Sequence, residues 1–306
     1  MSSYAFVTVD VFTDRRFAGN PLLVVPNARG LTDEAMQAIA REINYSESTF
    51  VLPPRDPAHT AEVRIFTPVT EVPFAGHPNV GTAFVLARQA DIFGKAPGDQ
   101  LIFAEKAGLV SVALRRDAAG VVCGVDIVAP EPFSRQAGPP PVVLAEALAL
   151  PAEAIATAPH PPVIASVGLP FIVAALKDLD ALAAARPDAQ RFQAADRQFP
   201  TRDGQFCTFL YVRDPEDHGT VRARMFAPLD NVPEDPATGS ASGALAGLLA
   251  TLDPASDGET RLTIDQGVEM GRPSRLEVTA EKRGGTVTRV TIGGHCVTVM
   301  RGEITV

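Results

Sequence analysis

"EDPATGSASGALAGLLATL", Glu234–Leu252, has no charged side chain between Asp235 and Asp253. Its second half contains only Ala, Gly, Leu and Thr, so a helix built from it has no polar face. A helix that is apolar all round must be buried on every side. Its front end, Asp235 to Ser242, is instead crowded with small polar residues and glycines. The stretch reads as a buried helix whose first turn is kept free for a ligand.

The same stretch belongs to a repeat. "GNPLLVV" from Gly19 matches "GLPFIVA" from Gly168, and "STFVLPP" from Ser48 matches "CTFLYVR" from Cys207. "RIFTPVTEVP" from Arg64 matches "RMFAPLDNVP" from Arg224, and "HPNVGTA" from His77 matches "DPATGSA" from Asp235. The offsets are 149, 159, 160 and 158 residues, in one order along the chain. The chain is therefore two copies of one module containing strands and helices. The Pro-rich stretch "APEPFSRQAGPPPVV", residues 129 to 143, is the expected boundary. Domains are predicted over 1–130 and 143–306, with the C-terminal strand a candidate to complete the first.

Within the first copy, Thr32 is an N-cap with Asp33 and Glu34 behind it, and Met36, Ile39, Ala40 and Ile43 share one helical face. "STFVL" reads as a buried strand, "EVRIF" as an alternating one, and "VGTAFVLARQ" from Val80 as the counterpart of the uncharged helix. The tail reads as four strands, "RLTIDQG", "SRLEVTAE", "TVTRVTI" and "HCVTVMRGEITV", separated by Gly-containing turns. The expected architecture is α+β: two pseudo-symmetric units, each a sheet rolled round its own helix, with a cleft between them where both helices begin.

Composition narrows the function. The 306 residues are 46% apolar and 21% charged, enough for a substantial core. A net charge of −9 without a basic run argues against nucleic acid and anionic membranes as partners. The start has no basic segment leading into an apolar core, so no secretory signal is expected. Cys123, Cys207 and Cys296 are few and widely spaced, as in a reducing cytoplasm.

A helix N-terminus presents unpaired amides and the positive end of its dipole, which favours a carboxylate or phosphate. Gly76, Asn79, Val80 and Gly81 at one start, and Thr238, Gly239, Ser240 and Ala241 at the other, are the candidate binding residues. The competing reading is a pair of ordinary caps. His77 and Asp235 align in the repeat, which makes both candidates for proton handling. Glu47 directly precedes a strand that should be buried, with Phe206 opposite it in the second copy. The residues alone leave Glu47 open between a solvated carboxylate and a desolvated general base.

"DVFTDRRFAGNPLLVV", "NYSESTFV", "FTPVTEVPFAGHPNVGTA", "EDPATGSASGAL" and "DQGVEMGRPS" together resemble the PhzF-like family of phenazine biosynthesis, over Asp10 to Ser274. The resemblance implies the diaminopimelate-epimerase fold and proton transfer at carbon without a cofactor. It also implies a small carboxylate substrate, dihydro-3-hydroxyanthranilate in the type member, and a homodimer. By position in these blocks it assigns Glu47 as the base, with His77, Asp235 and Ser240 at the site. Gly239 and Ser240 would hold the substrate carboxylate. Tyr45, Ser48 and Asn79 depart from the family's usual Leu, Thr and Thr. Related epimerases use two cysteines just before the helix starts, and the three here lie elsewhere. The alternatives are a thiol-independent epimerase or racemase of an amino or hydroxy acid, and a non-catalytic metabolite binder. No metal or cofactor motif is present.

Overall fold

The computed structural model describes residues 2–201 and 206–306. They divide into two compact units, Met1–Val128 with Gly293–Val306, and Ala129–Ile292. The first contains β1 (Ser3–Val11), β2 (Asn20–Val25), α1 (Asp33–Ile43), β3 (Glu47–Leu52), β4 (Ala61–Phe66) and β5 (Glu71–Val72). It continues with α2 (Gly76–Leu86), β6 (Gln100–Glu105), β7 (Gly108–Arg116) and β8 (Val122–Val128). The second contains β9 (Ser134–Ala137), α3 (Pro141–Ala147), β10 (Val163–Ser166), β11 (Pro170–Ala175), α4 (Leu179–Ala184) and α5 (Ala189–Gln198). There follow β12 (Thr208–Arg213), β13 (Thr220–Ala227), β14 (Val232–Asp235), α6 (Gly239–Leu252), β15 (Gly258–Gln266) and β16 (Ser274–Arg283). The last strand, β17 (Thr286–Thr305), begins in the second unit and ends in the first.

The repeat is visible in the strand pairing. In the first unit β1–β2 is antiparallel, β2–β3 parallel, β3–β4 antiparallel, β4–β6 parallel and β6–β7 antiparallel. In the second unit β10–β11, β11–β12, β12–β13, β13–β15 and β15–β16 follow the same alternation. Antiparallel β7–β8 continues the first ladder, and β17 pairs with both β8 and β1, closing an eight-strand barrel.

Each sheet has two covered faces. On β3 the side chains alternate with the period of two that a strand imposes. Phe50 and Leu52 join Leu23, Val25 and Phe66 against Met36, Ile39 and Ala40 of α1. The Thr32 hydroxyl caps that helix, accepting from Ala35 N at 3.2 Å. Thr49, on the opposite face, meets Thr82 of α2 through their hydroxyls at 2.8 Å. In the second unit α3 and α5 cover Ile172, Leu210 and Phe226 with Leu144, Leu148 and Phe192.

The two uncharged helices are the cores. α2 packs on β1, β2, β3, β7 and β8, and is buried from His77 to Leu86. α6 packs on β10, β11, β15 and β16, and is buried from Ala241 to Ala250. Gly81 is one of the residues that permit this fit, since a β-carbon there would meet Leu22 and Val11 side chains at 2.6 and 2.8 Å. Val80 and Gly81, expected from the sequence as binding residues, are both buried in this packing.

Two expectations change. α2 begins at Gly76, one turn before Val80. Residues 129 to 143, the expected boundary, lie in the second unit, where β9 pairs with β10 and α3 buries Val143, Leu144 and Ala145 in the core. The tail's last two strands are one, running through Gly293 and Gly294 without a turn. Those glycines instead allow close approach of β17 to β8: a β-carbon on Gly124 would overlap Gly294 O. Gly124→Ala is expected to lower stability by about 1–3 kcal/mol, because that contact is backbone and cannot swing aside. Gly98→Ala, with ordinary contact at 3.6 Å, is the matched control. Urea midpoints compare the two, and equal midpoints would refute the close-approach account.

Candidate active site

Glu47 opens β3, in parallel register with Leu22 of β2. The strand's period of two puts it on the face of Thr49, toward α2. There its Oε2 lies 3.6 Å from His77 Nε2 in the first turn of α2. The Glu47 side chain retains 20% of its exposure and that of His77 only 7%. Burial pushes the Glu47 carboxyl above its usual range, and a hydrogen bond from Ser46 opposes the shift without cancelling it. The one Ser46 hydroxyl proton is shared with Oδ1 of Asn20, 3.3 Å away, a fully buried residue at the start of β2. A carboxylate raised in this way and still reachable is suited to accept a proton.

In the second unit Asp235 ends β14, and its Oδ2 accepts the Thr238 hydroxyl at 2.5 Å. Gln266, fully buried at the end of β15, holds the loop between them. Its Nε2 donates to Asp235 O at 2.7 Å and to Thr238 Oγ1 at 3.0 Å, and its Oε1 accepts from Thr238 N at 3.0 Å. Ser240 follows in the first turn of α6 and is only partly buried, unlike Ala241, Ser242 and Gly243. Sequence reasoning passed over Gln266, although it stands in the quoted "DQG" block. A buried amide with three local partners leaves no periodic signal.

Neither uncharged helix has a side-chain cap. Ala75 and Thr238 occupy the N-cap positions, neither side chain makes a capping hydrogen bond, and neither first turn carries an acid. A helix start without a capping side chain or an acid in its first turn is compatible with an anionic group there.

The backbone also corrects the repeat. Arg64 clamps Glu71 in a two-pronged pair at 2.8 Å, and Arg224 clamps Glu234 in the same way at 2.7 and 2.9 Å. Ile65 opposes Val72, and Met225 opposes Asp235. The counterpart of Asp235 is therefore Val72, and that of His77, second in its helix, is Ser240. The second copy has three additional residues between these strands, which the short "VP" match concealed. Likewise Ser48 opposes Phe66 as Thr208 opposes Phe226, so Glu47 corresponds to Cys207 rather than Phe206.

Cys207 donates to Asp230 Oδ2 at 3.2 Å, and burial first, then that carboxylate, drives its thiol far above the usual range. Burial likewise pushes Cys296 up to about 12. Neither is a thiolate at neutral pH, and none of the three cysteines stands at the start of α2 or α6. Among the described residues no group of three or more His, Cys, Asp or Glu is arranged to hold a metal ion. No helix among them is long and apolar enough to cross a membrane.

The family model described as phenazine biosynthesis-like protein, PhzC-PhzF, matches residues 9–302. A Mesorhizobium japonicum protein described as an uncharacterized isomerase is 39% identical, with 99% of each chain covered. The trans-2,3-dihydro-3-hydroxyanthranilate isomerase of Pseudomonas aeruginosa is 37% identical, over 98% of this chain and 99% of its own. A solved Bacillus anthracis phenazine biosynthesis protein of the PhzF family superposes with a TM-score of 0.88 at 24% identity, covering 100% of both chains.

Proposed function

Because this chain belongs to the phenazine biosynthesis-like PhzC-PhzF family and is an isomerase of that kind, we propose that it moves a proton between carbons of a small carboxylate. Glu47 takes the proton as its C–H bond breaks, and the carbanion is stabilised by conjugation within the substrate. Glu47, its proton exchanging with solvent, then returns a proton to a different carbon. No electron is gained or lost overall, so the step needs no redox cofactor. Asp235 and Ser240 serve as polar and acid/base groups toward the substrate, and the amides at Gly239 and Ser240 receive its carboxylate.

The observation that carries this reading is the raised, buried and still reachable Glu47 carboxyl beside His77, at a helix start the chain leaves uncapped. Its pH dependence follows. The base must be ionised, so turnover falls as pH drops through the Glu47 pKa, and that limb lies above the ordinary 4.5 of a glutamate. A pH–rate profile of kcat/KM checks it, and an acid limb at or below the ordinary value would contradict desolvation of the base.

The test substrate is trans-2,3-dihydro-3-hydroxyanthranilate in heavy water. Deuterium entering at a new carbon, with a change in ultraviolet absorbance, supports the isomerase reading. Exchange at one stereocentre with inversion would replace it by epimerisation. Binding without exchange for this compound and related carboxylates would leave a metabolite binder. The active species is proposed to be a homodimer, and sedimentation equilibrium should give twice the chain mass.

A further inference from the structure

In this acidic chain Arg55, Arg64, Arg115, Arg116, Arg222 and Arg224 each hold a carboxylate at 3.1 Å or less. Arg16, Arg88 and Arg301 hold none among the described residues, and all three line one open pocket of the first unit, about 400 Å³ in volume.

Backbone oxygens, not carboxylates, set two of these side chains. Arg16, in the loop after β1, donates from Nε to Thr298 O at 2.9 Å. Arg88, just past the end of α2, donates from Nη1 to Val122 O at 2.7 Å. Its guanidinium lies 4.9 Å from the centre of the Phe84 ring. Arg301 is exposed on β17, opposite Val7 of β1. A guanidinium has five N–H donors, so most of each fork remains available to a ligand. The carboxylates nearest along the chain are engaged elsewhere. Asp10 accepts from Phe17 N at 2.6 Å, Asp14 lies 4.0 Å from Arg15, and Glu303 accepts the Ser3 hydroxyl at 2.8 Å.

The strand is also shaped at this place. Thr8 opposes Met300 and Val9 opposes Thr298, so Val299 is the extra residue of a β-bulge. The buried Thr8 hydroxyl accepts from Met300 N at 3.1 Å and holds the bulge. A bulge bends its strand and re-aims the side chains beside it. Thr298, Val299, Met300 and Arg301 all line the pocket.

Like charges gathered without partners repel one another, and a bound anion removes that repulsion. A lone carboxylate has too few oxygens to engage three guanidinium forks, whereas linked phosphoryl groups present several charged oxygens to each. The chain's net charge of −9 disfavours an extended polyanion, so the occupant is small. We propose that this pocket is a second binding site, which takes a small soluble molecule carrying two or more linked phosphoryl groups. It is separate from the proton-transfer site. Phe84 and Arg88 follow His77 by seven and eleven residues, which at the helical rise is roughly 10 and 16 Å along the axis. The pocket therefore does not depend on the reading of Glu47.

Calorimetric titration of tripolyphosphate into the full chain tests the proposal. A single equivalent should bind, about tenfold or more tightly than inorganic phosphate, because the longer anion reaches all three arginines. Arg301→Gln and Arg16→Gln should each weaken it by about tenfold. The Arg301 side chain makes no hydrogen bond or ion pair among the described residues, so its variant leaves the fold undisturbed. Arg88→Lys keeps the charge but not the fork, and should still weaken binding severalfold. Arg41→Gln makes the same charge change on α1, where Arg41 reaches Pro68 O, and should stay within about twofold of the parent. Ser240→Ala should leave affinity unchanged, which separates this pocket from the start of α6. ATP titrated in parallel identifies the source: tighter binding than tripolyphosphate assigns a nucleotide, and equal or weaker binding a free phosphate chain.

Absence of saturable binding, or equal affinity for inorganic phosphate, would overturn the proposal. Equal affinities of Arg301→Gln and Arg41→Gln would do the same, as would loss of binding in Ser240→Ala.

Discussion

Glu47→Gln should lower turnover by about 10²- to 10⁴-fold, the range supplied by a positioned general base. That corresponds to roughly 3–5 kcal/mol of transition-state stabilisation. Gln preserves the volume and the hydrogen bond to Ser46 but cannot accept a proton from carbon. Substrate affinity should change little, because the carboxylate-binding role is assigned to amides at the start of α6.

Stability should move the other way. Desolvation raises Glu47, so its ionised form is penalised in the folded state and the penalty is present at neutral pH. Removing the charge removes the penalty, and Glu47→Gln should unfold at the parent's temperature or above it. Single-turnover assays in heavy water and thermal melts measure both quantities. A folded variant with near-parental turnover would exclude Glu47 as the base, and one that melts below the parent would contradict the desolvation penalty.

Gln266→Leu should produce the largest change in the second unit. Leu has a similar size and is apolar, so the buried pocket stays filled. It leaves Thr238 N and Asp235 O without the partners that Gln266 provides at 3.0 and 2.7 Å. A buried backbone group such as Thr238 N left unpaired costs roughly 1–3 kcal/mol, so the loss should be at least that size. The same change frees the loop that carries Asp235 and Thr238 into the start of α6. KM should therefore rise together with the loss of stability. Urea unfolding and steady-state kinetics read the two effects, and a variant within about 0.5 kcal/mol of the parent would mean that this amide does not hold the loop.

Much of the molecule was legible in its residues. An uncharged helix can only be a core, so "GALAGLLATL" demanded a sheet around it, and its partial copy from Val80 demanded a second. Thr32 with Met36, Ile39 and Ala40 located α1, because a cap and a helical stripe are local properties. Recurring motifs disclosed two modules, and the family resemblance singled out Glu47, which composition and periodicity had left undecided.

Other features were settled only by three-dimensional contact. Gly293 and Gly294 resemble a turn in sequence, yet they lie inside one strand, because a glycine signals either a bend or a close neighbour and only the neighbour distinguishes them. The pairing of His77 with Asp235 dissolved for a similar reason: strand register is set by hydrogen bonds across the sheet, and three additional residues shifted it unseen. Gln266 was silent in the sequence because burial gives a polar side chain its importance, and burial depends on residues far away along the chain. The chain by itself determined which helices are enclosed and how many modules enclose them. The tertiary structure alone decided which polar groups lie against one another at the helix starts, since their meeting depends on register and packing that no local stretch encodes.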